Sequence, residues 1–482
     1  MSFRWNLQFP SEQAAYEPLP VWFYLLLYLL VEGVALAMVV PGLPKYGAVP
    51  WDRVVRYAVA VPFFCWLAMS CIVYWFSYDI PATLAAYHNS ARWHQISGWQ
   101  RQSRSGMAVL DSVILTPEPD LAERMLALEG TPPENPGKVM ALGSIAAADD
   151  GSRLARLLDA LLAPMAARLA QVAKGGSFEI VMQCDHEVLS SEVLAAWGRL
   201  ALPGKPVVRW LDNRRDVGFA DKWFEDESRP NGWYGHDRTP KYRLLLTWHL
   251  NKVGPDAVHK DSEAAVALLL GSPALMYEKP ELKRQAWLLR QITGDADQAD
   301  RLLALLLNAE QVPSERIRHF WHSGLKGLAQ HATLGAVRES GLKVEAHALD
   351  PAIGPQAPAA RWLIQALAAK MAHFGQGTQL IAVPHEQGIA LNLVAKEPAP
   401  VNVPWKEEYG YKLVLGPEFA ALVSLWTVGM LLSPDTGWSS TDTLVTCLTV
   451  FFMLVFFIIR HPGLVSRMAE STLEFVASVI GF

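Results

Sequence analysis

Cysteine is scarce, with four in 482 residues. Cys65, Cys71 and Cys447 fall inside long apolar stretches, so Cys184 is the one thiol in the polar part of the chain. This excludes a disulfide framework and a CxxC pair for zinc. A Walker loop, a dinucleotide-type glycine set after a strand and a GxSxG elbow are also missing, so nucleotide-binding and serine-hydrolase readings have no motif to rest on. The 42 lysines and arginines are dispersed and outnumbered by 47 acids, which disfavours a nucleic-acid partner. No internal repeat is visible. The tail before the first apolar run is acidic rather than basic and no small-residue cleavage site follows it, so that run is expected to stay.

The chain has apolar length in excess. Blocks at 21–40, 57–78, 412–432 and 443–459 approach or reach what a bilayer requires, and the second holds no charged residue. They predict four transmembrane α-helices in two hairpins, over 1–80 and 411–460, carrying an α/β domain over 81–410. Beyond Pro462, Leu464, Met468 and Phe475 oppose Arg467, Glu470 and Glu474, the pattern of an amphipathic helix over 461–482. Arg92, Arg101, Arg104, Arg460 and Arg467 lie on the side of the large domain, and the loop between the last two blocks has Asp435 and Asp442. The positive-inside bias then makes the domain cytoplasmic and the protein a multi-pass component of the plasma membrane, although Lys45, Arg53 and Arg56 in the first hairpin loop argue the other way. Two acids fall within apolar blocks. Glu418 reads as interfacial, beside Lys412, Tyr409 and Tyr411. Glu32 reads as an ion or proton site, or as a helix–helix hydrogen bond to Ser70 or a neighbouring subunit.

The central region alternates strand-like and helix-like segments, the mark of an α/β domain. Strands are expected at 107–116, 177–183, 205–211, 242–250, 264–271, 342–349, 377–383 and 388–395, the last two joined by PHEQ as a hairpin. Helices are expected at 153–173, 188–200, 281–292, 297–309, 314–331 and 357–373. Residues 212–241 lack any period; loops of that length are functional or disordered. Phe219, Trp223, Phe224, Trp233 and Tyr234 favour an ordered, partner-facing loop, with a mobile insertion as the plainer account. His319 and His322 in RIRHFWH place two metal ligands on one helix face, but no third ligand has a matching spacing, so an exposed basic-aromatic face is the plainer reading and neither metal nor cofactor is expected.

The stretch AHFGQGTQL (372–380) follows one of these helices and precedes a strand, and His347 lies in the strand upstream. Strand, His, helix, His-Phe-Gly-x-Gly-Thr, strand resembles the C-terminal half of condensing enzymes of the thiolase-like fold, and EIVMQCDHEVLSSEVL (179–194) ends a strand at Cys184, where that family's nucleophile sits. The resemblance covers about 180–395 and implies a thiol at a helix N-terminus assisted by two imidazoles. Asp185, His186 and Glu187 stand where the family has small residues, and Ala348 and Leu349 replace its Gly-Thr pair after His347. Carboxylates there raise a thiol pKa and repel an enolate. The triad Cys184, His347 and His373 therefore reads as degenerate, and AHFGQGTQL as a helix stop with His373 near its dipole and Gly375 capping it.

The layout also resembles membrane-anchored proteins associated with bacterial type VI secretion effectors, in which thiolase-like domains without catalytic residues act as adaptors; the immunity protein of a membrane-active toxin fits it equally. This resemblance implies a non-enzymatic inner-membrane protein that binds an effector or toxin, and the thiolase-like one implies a homodimer paired through a continuous sheet. Two alternatives come from other classes: a membrane-bound acyl-transfer enzyme using Cys184, and a small transporter or channel subunit built around Glu32.

Overall fold

The computed structural model describes residues 3–43, 48–145, 150–174, 178–185, 190–221, 223, 240–253, 259–386, 388–411, 417–433 and 437–460. They form two compact units, one from Met1–Gln8 with Ser97–Asn402 and the other from Phe9–Ile96 with Val403–Phe482. The divisions fall at 96 and 402, against the expected 80 and 410. The helix expected to end near residue 78 runs on to Ser103.

In the first unit the described strands are β1 (Gly106–Leu115), β2 (Phe178–Cys184), β3 (Val207–Asp212), β4 (Tyr242–His249), β5 (Ala264–Gly271), β6 (Ala286–Leu289), β7 (Ile292–Gly294), β8 (Ile317–His322), β9 (Glu345–Ala348), β10 (Thr378–His385) and β11 (Gly388–Ala395). They make one sheet in the order β3-β2-β4-β5-β1-β6-β11-β10-β8-β9, with β7 beside β11. Leaving out β7, the sheet is one pattern used twice. In each half the second, third and fourth strands are parallel neighbours, while the fifth runs antiparallel between the fourth and the first. The halves join where β1 pairs antiparallel with β6, Gly106 opposite Leu289. The sequence shows no repeat because the duplication lies in chain direction and strand order, which unrelated apolar residues satisfy equally well.

Both faces of the sheet are covered, so its central strands are apolar throughout rather than alternating. All eight residues of β5 are buried. Ala265, Ala267 and Leu269 face one apolar cluster and Val266, Leu268 and Leu270 the other. Helices Asp150–Leu162, Ala166–Ala173 and Ser190–Arg199 cover the first cluster over one half, and Ala299–Asn308 and Leu328–Glu339 over the other. The second cluster surrounds one long helix, Ala360–His373, buried on nearly every side, with the short helices Leu121–Met125 and Leu349–Ile353 beside it. Its polar members are paired: Gln365 and Asn392 exchange hydrogen bonds of 2.8 and 2.9 Å, and Trp362 Nε1 donates to Gln183 Oε1 at 2.7 Å. This helix ends in a Schellman turn, with Gln376 N–H donating to Met371 O and Gly375 N–H to Ala372 O. Gly375 has φ +83° and Gly377 φ +78°, so AHFGQGTQL is a helix stop leading into β10.

Two expected helices are strands. Residues 281–292 contain β6 and the start of β7, and 314–331 opens on a short 3₁₀ turn, Ser314–Arg316, followed by β8, with α-helix only from Leu328. Leu282, Ala286 and Leu289, and likewise Ile317, Phe320 and Trp321, fall at helical spacing, and a short run buried on both faces has no alternation to correct that impression.

In the second unit, two helices are long and apolar enough to cross a membrane, Val21–Gly42 and Trp51–Ser103; Phe419–Leu432 and Ser440–Phe456 are shorter apolar helices. Four membrane-length helices are expected, and two are found among the described residues. Helix Val21–Val39 and helix Pro417–Leu432 both pack on the middle of the long helix, and Pro417–Leu432 packs on Ser440–Arg460. Phe64 stacks on Trp426 at 3.9 Å between ring centres, and Trp66 Nε1 donates to Tyr24 O at 2.8 Å. Two π-helical turns interrupt the long helix, Arg56–Ala60 and Trp75–Asp79, and each contains a charged residue with no exposed surface. Arg56 donates to Met430 O at 2.6 Å and Gly437 O at 2.9 Å, with Asp442 Oδ2 at 3.7 Å. Asp79 Oδ1 accepts from Tyr411 OH at 2.7 Å.

Candidate functional site

Ligand sites in α/β sheets gather at the carboxyl ends of parallel strands. Here the chain leaving β3 turns tightly, because Asp212 Oδ1 accepts from the Arg214 and Arg215 amides at 2.7 and 3.0 Å. Those two backbone hydrogen bonds hold the Asp212 carboxyl below its usual range. Arg361, on the central helix, donates to Val217 O at 2.9 Å and Asn213 O at 3.3 Å, and Gln183 Nε2 donates to Asp216 O at 3.1 Å. Burial lowers the Arg361 pKa to about 10, still far above neutrality. The segment after β3 is thus packed against the sheet and helix.

It brings Asp221 to His385, the last residue of β10. Asp221 Oδ2 lies 3.6 Å from His385 Nε2, and Gln291 Nε2 donates to Asp221 Oδ1 at 2.5 Å. Among the described residues, Gly218 stands against this pair. A Cβ there would stand 3.1 Å from His385 Nε2 and 3.3 Å from Asp221 Oδ2. Both the carboxylate and the Gly218 Cβ position lie at the same imidazole nitrogen, Nε2, and Gly218, having no side chain, offers that nitrogen no nucleophilic atom.

The sequence-derived triad does not assemble around that pair. Cys184 ends β2 with its side chain 1% exposed, a member of the first apolar cluster. It faces away from Val181 and Gln183, which lie on the side of the central helix. Asp185, the next residue, bonds His249 across β4, with Oδ2 2.6 Å from Nδ1. His186 and Glu187 lie outside the described residues. His347 belongs to β9 at one edge of the sheet, where its ring centre is 5.0 Å from that of Trp321. His373 is exposed at the C-terminal end of its helix. His319 and His322 are on a strand, so their odd spacing directs them to opposite faces; what lies beside His319 is His347, its Nε2 3.0 Å from His319 Nδ1.

The expected partner-facing aromatics also need correction. Phe219 and Trp223 are 8% and 4% exposed and pack with Trp362 inside the second cluster, with Arg243 above the Trp223 ring. They are core residues, made apolar by the contact with the central helix and not by an outside partner. Phe224, Trp233 and Tyr234 lie outside the described residues, as does the amphipathic segment 461–482. In the second unit, Glu32 Oε2 and Ser70 Oγ are each buried without a hydrogen bond, so the expected Glu32–Ser70 bond is absent. Glu418 stands in the first turn of helix Pro417–Leu432, and its side chain is outside the described set.

His385, Asp221 and Gly218 were not singled out by sequence. PHEQ signals only a turn, and nothing in the chain links it to the segment after β3.

No family model matches the sequence, and no curated protein matches it. Several solved structures are similar to it. One, a type II PKS acyl-carrier protein in complex with its ketosynthase, shares 12% identity and a TM-score of 0.43 over 61% of this chain and 99% of that one. The peroxisomal 3-ketoacyl-CoA thiolase of Saccharomyces cerevisiae, described as five-layered and built from two core domains of identical topology, shares 11% and 0.36 over 61% and 98%. A 3-oxoacyl-(acyl carrier protein) synthase III from Pseudomonas aeruginosa shares 13% and 0.37 over 62% and 100%. At such scores these likenesses carry no argument about activity, substrate or site residues.

Proposed function

We propose that the protein is a non-enzymatic, membrane-anchored binding protein whose partner is a secreted or membrane-targeting effector, as in the type VI secretion adaptor or immunity proteins that its layout resembles. The observation that supports this most directly is Gly218. The imidazole–carboxylate pair at the strand ends faces a residue with no nucleophilic atom. An acyl-transfer role for Cys184 requires a thiol that a thioester can reach, whereas this one is 1% exposed within the first apolar cluster.

For anchoring, the proposal keeps four spans in two hairpins. Arg56 ties the start of the second apolar helix to the end of the third and the beginning of the fourth, so the two interhelical turns lie at the same end of this unit. Its burial also removes Arg56 from the charges that bias topology, because a guanidinium paired inside the helices does not flank the membrane. With Arg56 discounted, the remaining bias favours a cytoplasmic domain in the bacterial inner membrane.

The test compares wild type, Cys184→Ala and His385→Ala after extraction from native membranes in mild detergent. The proposal expects the same effector-class protein to be retained in equal amount by all three. Its loss from Cys184→Ala at normal expression, or thioester turnover by wild type that this variant abolishes, would overturn it in favour of the enzyme.

A further inference from the structure

The edge of the second half-sheet holds a cluster that the proposed function leaves unused. His319 stands on β8, and Glu345 and His347 on the neighbouring edge strand β9, in a parallel register that sets His319 beside Glu345 and Trp321 beside His347. Residues two apart share a face, so the three side chains converge. His319 Nδ1 is 3.0 Å from His347 Nε2 and 3.8 Å from Glu345 Oε2, and one donor atom from each residue lies within 4.8 Å of the others. An ion held tetrahedrally at roughly 2.0–2.1 Å from its ligands separates them by roughly 3.3 Å. The two observed separations bracket that edge, so small side-chain rotations suffice to admit an ion.

The surroundings prepare the ligands. His347 Nε2 faces His319 Nδ1. With the proton on Nδ1, a neutral imidazole keeps its Nε2 lone pair for a metal, the usual arrangement around a ligating histidine. His347 is 8% exposed, whereas the Glu345 side chain is 75% exposed, so the site opens to solvent on the carboxylate side.

We infer that His319, Glu345 and His347 form a binding site for a divalent transition-metal ion of the zinc class, with a fourth position open to water or a partner's ligand. Two imidazoles and one carboxylate are a recognised zinc set, and they bind such ions in preference to magnesium or calcium. The bound ion clasps the four-residue edge strand β9 to β8, in a place where an unpaired strand edge otherwise invites association. The competing account is a plain imidazole–imidazole hydrogen bond, which takes up no metal.

The full chain, metal-free in detergent, is titrated with cobalt(II) as the spectroscopic probe and back-titrated with zinc. The expected result is one equivalent giving the visible absorption of a four-coordinate nitrogen/oxygen site, displaced by zinc. Glu345→Ala, whose exposed side chain leaves folding intact, weakens uptake by at least about tenfold, and His319→Ala/His347→Ala abolishes it. No uptake by wild type, uptake unchanged in Glu345→Ala, or a sulfur-to-cobalt charge-transfer band would overturn the assignment.

Discussion

The pair nearest Cys184 shows how one residue's setting decides its chemistry. Burial alone would lower the His249 pKa, but the hydrogen bond and charge of Asp185, supported by Asp261 and Asn251, outweigh it and the net shift is upward. A histidine raised by folding adds stability that is fully present below its unfolded pKa and is lost as pH rises through the higher native value. Asp185→Asn is therefore expected to lower thermal stability more at about pH 6 than at about pH 9; equal losses would show that the pair carries no such linkage. At this scale the sequence is least legible. Cys184 has the composition of a nucleophile's neighbourhood, yet the pleat of β2 turns it toward the helices. Gly218 acquires meaning only once His385 and Asp221, distant in the chain, are brought beside it.

Among elements, legibility followed burial. Helix Ala360–His373 was readable because its length and its glycine stop are local properties. The strand β5 was readable because AAVALLLG is short and bounded by glycine. β6 and β8 were not, since their apolar residues fall by accident at helical intervals and pairing with β1, β10 and β11 overrode that pattern. The helix pair around Arg56 is held by contacts between distant segments and was equally hidden. Arg56→Ala removes the donor to Met430 O and Gly437 O and leaves Asp442 without its neighbouring charge. Breaking a buried polar cluster of this kind costs roughly 3–5 kcal/mol. The variant should unfold at distinctly lower denaturing-detergent concentration, with Arg56→Lys intermediate. An unshifted midpoint in Arg56→Ala would mean that the turns are held by apolar packing alone.

The whole molecule joins a duplicated α/β body to an apolar helical unit. Composition disclosed both parts, while the boundary near residue 96 was hidden because the helix continues beyond its apolar section. The proposed topology makes a prediction at this scale. Reporters inserted at 46 and 435 should register the periplasm, and one in the 131–137 segment the cytoplasm; the opposite pattern would invert the protein in the membrane. The central claim, that this body binds without catalysing, is tested most directly by the intact mass of the purified full chain after exposure to an activated acyl thioester. The account predicts an unchanged mass in wild type and Cys184→Ala alike. An added acyl group on wild type that is missing from Cys184→Ala would contradict it.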